Sequence, residues 1–256
     1  MVDLINEYKK YIKSENDLIY IDEYRTADEE TQKQATMLFL NNGDIQEIVN
    51  FCKKQKMSKI ANKLKKEANI SKRFSTRTFD NFNIENDTQK FACDTAVNYV
   101  KNIDEMLKQG TGIIFVGKGC VGTGKTHLAC AIANSLLNKG YPVKVINVAK
   151  MIYQIKENFK VDEYINVPIL LIDDLGKETG TQWVCEMLYF IFNERYENMK
   201  PTILTTENGI EEIRKNYITQ VNGQIIDRGK SMISRLTEDF IYIALTGEDF
   251  RQRRAA

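Results

Sequence analysis

Residues 111–126 read "TGIIFVGKGCVGTGKT", an apolar run ending in a turn that holds Gly117, Gly119, Gly122 and Gly124, followed by Lys125 and Thr126. Four of the chain's 14 glycines stand in this one turn. Gly119 through Thr126 fits the pattern G-x-x-x-x-G-K-[ST], and it follows a strand and opens a helix, as that pattern requires. Glycine lets the backbone fold tightly enough for successive N–H groups, through Cys120, Val121 and Thr123, to point inward at phosphate oxygens. A helix starting near Lys125 adds the positive end of its dipole. Lys125 supplies charge for the β- and γ-phosphates of a nucleoside triphosphate, and the Thr126 hydroxyl supplies a ligand for Mg²⁺. Where the loop begins stays open, because Gly117-Lys118 stands between strand and motif as a small extra piece.

A phosphate cradle alone hydrolyses nothing. "VPILLIDDL" (167–175) delivers two carboxylates at the C-terminal end of an apolar strand, where open α/β sheets hold their ligands. There Asp173 completes the Mg²⁺ shell, commonly through water, and Asp174 orients and deprotonates the attacking water. Paired aspartates at a strand end often only cap a helix. The upstream loop, one strand removed, gives this pair its chemical meaning.

From about Ser71 short β-rich runs at 111–116, 142–148, 167–174, 201–206 and 240–245 alternate with amphipathic segments near 87–108, 125–139, 149–159, 178–199 and 208–217. Near-continuous apolar strands separated by helices predict an α/β fold with a central parallel sheet flanked by helices. Residues 1–70 have no proline and one glycine, and are dense in Lys, Glu, Asp and Asn, which predicts a small helical domain. Thr26 with Glu29 and Asp44 with Glu47 have capping-box spacing. Ile45, Ile48, Val49, Cys52, Met57, Ile60 and Leu64 form one apolar stripe at helical spacing. Such a bundle buries little surface, so it reads equally as a partner-docking module or as an appendage on its own core. Lys53–Arg73 carries nine basic residues, with no interleaved aromatics, which favours a solvated helix face over a nucleic-acid grip.

Composition narrows the classes further. Lys+Arg (36) and Asp+Glu (35) nearly cancel, so a nucleic-acid contact must come from a local basic face. The five cysteines form no C-x-x-C pair and read as reduced thiols of a cytosolic protein, and a single histidine, His127, excludes His-rich metal sites. No basic start with an apolar h-region and no run of 18 apolar residues is present, so the expected location is the cytoplasm.

At "RTFDNFN" (77–83), "GTGKTHLACAIAN" (122–134), "LLIDDLGKE" (170–178), "RYENMKPTILTT" (195–206), "SRLTE" (234–238) and "TGEDFR" (246–251), the sequence resembles the AAA+ ATPases of the bacterial and phage replicative helicase loader type, the DnaC/DnaI group, and more distantly the IstB transposition helpers. The likeness covers about residues 74–251. It implies a P-loop AAA+ core at 71–256 without a C-terminal lid domain, ATP and Mg²⁺ as ligands, and slow intrinsic hydrolysis. It also implies that residues 1–70 dock on a hexameric replicative helicase and that the core binds single-stranded DNA. By the same resemblance His127 belongs to the P-loop helix, its more modest role being packing, and Arg235 matches an arginine finger that reaches a neighbouring subunit's γ-phosphate; local pairing with Glu238 is the bland alternative for that arginine. The sensor position, usually Asn, falls on Glu207 here, so Thr206 or Asn208 becomes the candidate for polarising the water. The competing readings are an IstB-like transposition helper, a small-molecule kinase, against which "IDDLGKE" and the "SRL" arginine argue, and a module that binds ATP without hydrolysing it, which the full set Lys125, Thr126, Asp173 and Asp174 disfavours.

Overall fold

Five strands pair side by side, all parallel, in the order β2-β3-β4-β1-β7: β1 Gly112–Val116, β2 Val143–Asn147, β3 Ile169–Leu175, β4 Thr202–Thr206 and β7 Phe240–Ala244. These are the five runs expected from the sequence, and the α/β fold with a central parallel sheet is confirmed. The structure is a computed structural model and describes residues 12–117, 120–221, 224–247 and 249. It divides into two compact units, Met1–Lys63 and Leu64–Ala256.

Within the first unit a 3-10 turn, Glu15–Tyr20, leads into α1 (Asp22–Arg25), α2 (Glu29–Asn42) and the start of α3 (Ile45–Glu67). Leu18, Ile21, Ala35, Ile45, Ile48, Val49 and Cys52 form its core. The first half of the expected stripe is therefore buried, whereas Met57 and Ile60 are 39% and 37% exposed. Leu64 packs with the core of the second unit. The capping boxes form differently from their spacing. Asp28 caps α2 by accepting from the Thr31 amide, and the Thr26 hydroxyl donates instead to the Asp22 carbonyl at 2.8 Å. Asp44 accepts from the Gln46 amide, while its own amide goes to the Asn42 side chain. An aspartate two residues nearer the first turn satisfies the orphan N–H groups better than the threonine.

In the second unit, strand alternation builds two cores. Ile113 and Phe115 face one side, with Val145, Leu171, Ile203 and Ile243, against α4 (Asp87–Lys101) and α6 (Lys125–Asn138). Ile114 and Val116 face the other, with Ile146, Leu170, Ile172 and Leu204, against α7 (Val148–Asn158) and α9 (Gln182–Glu197). A sheet covered on both faces explains why these strands read as continuous apolar runs. The short helices α5 (Ile103–Gln109), α8 (Asp162–Ile165) and α10 (Ile210–Asn216) complete the connections. Between β4 and β7 lie two elements the sequence reading missed: an antiparallel hairpin, β5 (Ile218–Val221) with β6 (Gln224–Asp227), and α11 (Arg228–Glu238). The Asn222-Gly223 pair between alternating residues was an available hairpin signal. The five cysteines are free, and burial pushes the Cys130 thiol up to about 12. Among the described residues no helix is long and apolar enough to cross a membrane.

One buried cation holds the entry to the sheet. Arg195 of α9 is 1% exposed and donates to six acceptors: the carbonyls of Tyr164, Ile165, Val167, Pro168 and Pro201 and the Thr202 hydroxyl. Burial pulls its pKa down to about 9, yet the ring of carbonyl dipoles substitutes for water. It pins the segment before β3 to the start of β4. Replacing Arg195 with Met should therefore lower the unfolding free energy by about 3 kcal/mol or more in urea titrations, because buried carbonyls lose their donors. Lys, with three donors on one nitrogen, should recover little of it.

Candidate nucleotide-binding site

Beyond the C-terminal ends of the strands lies a cleft of about 590 Å³. One side is Gly122–His127, another is Asp174 with Glu207, and the outer wall is Arg73, Phe74, Arg77, Asn81, Phe82, Asn83 and Glu85. Gly122 and Gly124 take φ of 70° and 101°, which only glycine adopts without strain. A Cβ on Gly124 would stand 2.5 Å from the Phe82 ring, so the loop passes too close to that wall for any side chain. Gly119 lies outside the described residues; Cys120, Val121 and Thr123 are described and belong to the same loop. The loop leads directly into α6, whose first turn begins at Lys125.

Lys125 is buried, and its ammonium donates to the Cys120 carbonyl at 2.7 Å and to the Thr123 hydroxyl at 3.5 Å. Burial pulls its pKa down, and the nearby Glu207 and Asp174 carboxylates oppose that pull. Its bonds are thus to the loop itself, which folds the charge into the cradle. His127 accepts no metal role: its Nε2 meets the Thr78 carbonyl at 2.9 Å and its ring stands edge-on to Phe82 at 5.2 Å. Burial lowers its pKa, so at neutral pH the uncharged ring donates Nε2–H to that carbonyl. It couples the P-loop helix to the outer wall.

The aspartate pair owes its placement to a backbone irregularity. Strand β3 pairs regularly with β4 up to Ile172 and again at Leu175, with a register shift between them, and Asp174 sits at φ 62°. In a regular strand consecutive side chains point to opposite faces. The bulge re-aims them. Asp173 Oδ1 accepts the Thr126 hydroxyl at 2.8 Å and the Thr205 hydroxyl at 2.6 Å, while Asp174 lines the cleft. Burial pushes the Asp173 carboxyl above its ordinary value, with the Thr205 hydroxyl opposing. Thr126 and Asp173 offer adjacent hard oxygen donors next to a phosphate loop, a set that fits Mg²⁺.

Four further side chains complete the site, and sequence reading gave none of them a role. Thr205 Oγ1 also accepts the Asp174 amide at 2.9 Å, and Asn147, at the end of β2, donates to Asp174 Oδ2 at 3.3 Å. Lys177 bridges Asp174 Oδ1 at 3.1 Å and Glu207 Oε1 at 3.0 Å. Thr205 and Asn147 carried a readable signal, a polar residue closing an apolar strand. Lys177 carried none, and Glu207 stood at the sensor position that the resemblance leads one to expect as Asn. Of the two sensor candidates, Thr206 donates to the Leu175 carbonyl at 2.8 Å and Asn208 to the Gly176 carbonyl at 3.4 Å; Glu207, between them, is the one lining the cleft. Arg235, on α11, packs on α9 and is not among the cleft residues of its own chain: it donates to the Ser231 carbonyl at 2.9 Å and to Asn193 Oδ1 at 2.5 Å. Glu238 accepts from the Tyr196 hydroxyl at 3.0 Å.

With this geometry in place, the family model described as IstB-like ATP binding protein matches residues 20–256. The chain belongs to this family. It is also similar to the replicative helicase loader DnaC of Escherichia coli K12, 29% identical over 185 residues that cover 68% of this chain and 72% of that protein. The replicative helicase loader DnaI of Bacillus subtilis 168 is 24% identical over 262 residues, covering 96% of this chain and 82% of that one. The crystal structure of the DnaC helicase loader superposes with a TM-score of 0.59 at 26% identity, covering 68% of this chain and 99% of that chain. The protein is thus a DnaC/DnaI-like AAA+ protein related to IstB. Lys125→Ala should weaken ATP binding at least about tenfold in titration calorimetry, since a phosphate-facing charge in a partly buried site contributes on the order of 1.5–3 kcal/mol.

Proposed function

We propose that the protein is an ATP-dependent loader of a replicative DNA helicase, switched by ATP hydrolysis. The observation that carries it is the Thr126–Asp173–Thr205 contact beside the Asp174-lined cleft, set in a chain aligned with DnaI over 96% of its length. That alignment extends into the helical first unit. A bare nucleotide switch would need only the second.

In this reading the loop amides and Lys125 hold the triphosphate. Thr126 and Asp173 would hold Mg²⁺, which would supply charge neutralisation for the triphosphate. Asp174, held by Asn147 and by the Thr205 contact to its amide, accepts the proton of the attacking water. Glu207 or its neighbours Thr206 and Asn208 orient that water from the end of β4. Arg235 from a neighbouring copy stabilises the charge spread over the transferred phosphoryl group, so turnover by an isolated chain is slow and rises with protein concentration. The first unit, 1–70 as read from the sequence, docks on the helicase. Single-stranded DNA binds the ATPase core, which by the near-neutral overall charge needs a local basic face for it.

The second reading, a helper of a transposase, is favoured by the family's IstB-like description and uses the same site. Mixing the full chain with the hexameric helicase of its host, with and without ATP, separates them by size-exclusion chromatography. A complex is expected with the helicase; none in either condition ends the loader reading, and a complex with a transposase encoded beside it replaces that reading. Asp174→Asn should leave ATP affinity within about threefold while lowering turnover about a hundredfold, the scale of a lost general base. Unchanged turnover would remove Asp174 from that role.

A further inference from the structure

Two arginines on one helix share a single aromatic ring. The guanidinium carbons of Arg228 and Arg235 lie 5.3 Å and 5.2 Å from the Tyr189 ring centroid. Seven residues is close to two helical turns, so both project from one face of α11. Among the described residues neither forms a salt bridge with an acidic partner. Asp227, beside Arg228, is taken by Arg214 at 2.9 Å, and Glu238 accepts from Tyr196. The Nε atoms of both are buried without an acceptor, a state that native structures seldom leave unexplained.

Placing two like charges against one ring costs Coulomb energy unless an anion joins them. The surroundings match an interface between proteins. Ile225, three residues before Arg228 on the hairpin, is 75% exposed, and Phe190, next to Tyr189, is 44% exposed. Arginine and aromatic residues beside exposed apolar ones are what interface centres are made of. Under the in-trans reading of Arg235, the anion that joins them is the triphosphate that a second copy of this chain would hold at its own P-loop.

Resting on the reading of Arg235 as acting in trans, we infer that Arg228 is a second arginine that engages the phosphates of the nucleotide bound by the neighbouring copy, with Tyr189 holding the two guanidiniums as a pair. Its planar fork matches phosphate oxygens, and its stacking on the ring keeps it ordered before the partner arrives. The hairpin and α11 then form the face that receives the second copy.

Subunit mixing tests this with the full chain. Lys125→Ala is the donor: it lacks the phosphate-holding charge but keeps both arginines. Arg228→Ala and Arg235→Ala are the recipients, each with an intact cleft. Each recipient alone should turn ATP over at least about tenfold more slowly at unchanged ATP affinity, and each should regain activity when the donor, inactive by itself, is added in excess. Arg228→Lys, which keeps the charge and the packing stem, should show a smaller loss and the same rescue; it serves if the alanine variant does not bind ATP. If the donor rescues Arg235→Ala but neither Arg228 variant, or if the Arg228 variants turn over at the full rate, the inference falls and the in-trans reading of Arg235 survives. If Arg235→Ala is not rescued either, that reading falls and takes the inference with it.

Discussion

A single carboxylate oxygen, Asp173 Oδ1, receives hydroxyls from two different elements: Thr126 at the start of the helix after β1, and Thr205 in β4. The strand that carries Asp173 is separated from β1 by β4, so this one oxygen joins three adjacent strand ends. The arrangement exists only because the sheet is parallel and its order puts β1, β4 and β3 side by side. Burial raises the cost of a charge on Asp173, and the two hydroxyls offset that cost. A divalent cation arriving with a triphosphate would meet two oxygen donors already converged.

Around that contact the site is a balance of opposite charges. Lys125 and Lys177 stand against Asp174 and Glu207, and Lys177 ties the end of β3 to the end of β4. Asp174 is held at three points, by Lys177, by Asn147 and through its amide by Thr205, in a left-handed conformation that an unsupported aspartate seldom keeps. The outer wall is linked to the same machinery through His127, whose ring touches Phe82 and whose Nε2 reaches the Thr78 carbonyl. The nucleotide cleft is therefore one connected set of bonds from β2 to the segment before α4.

Away from the cleft, α9, the hairpin strand β5 and α11 pack on one another in the second unit. Arg195 and Tyr189 sit on the same helix, the first fixing it to the sheet and the second meeting the α11 arginines. The first unit has a separate core of its own, centred on Leu18, Ile21, Ile48 and Val49.

The glycine loop, Lys125, Thr126 and the Asp173–Asp174 pair were legible because each is a local pattern whose chemistry depends on near neighbours: tight backbone, helix start, strand end. The five strands were legible because burial on both faces writes a continuous apolar run. Other features depend on which distant segments meet. The bulge that turns Asp174 into the cleft, the sharing of Asp173 between Thr126 and Thr205, the bridge of Lys177 to Glu207 and the stacking of Arg228 with Arg235 on Tyr189 all join residues far apart in the chain. Periodicity reports the side of an element a residue occupies, and only the folded sheet decides what stands opposite it.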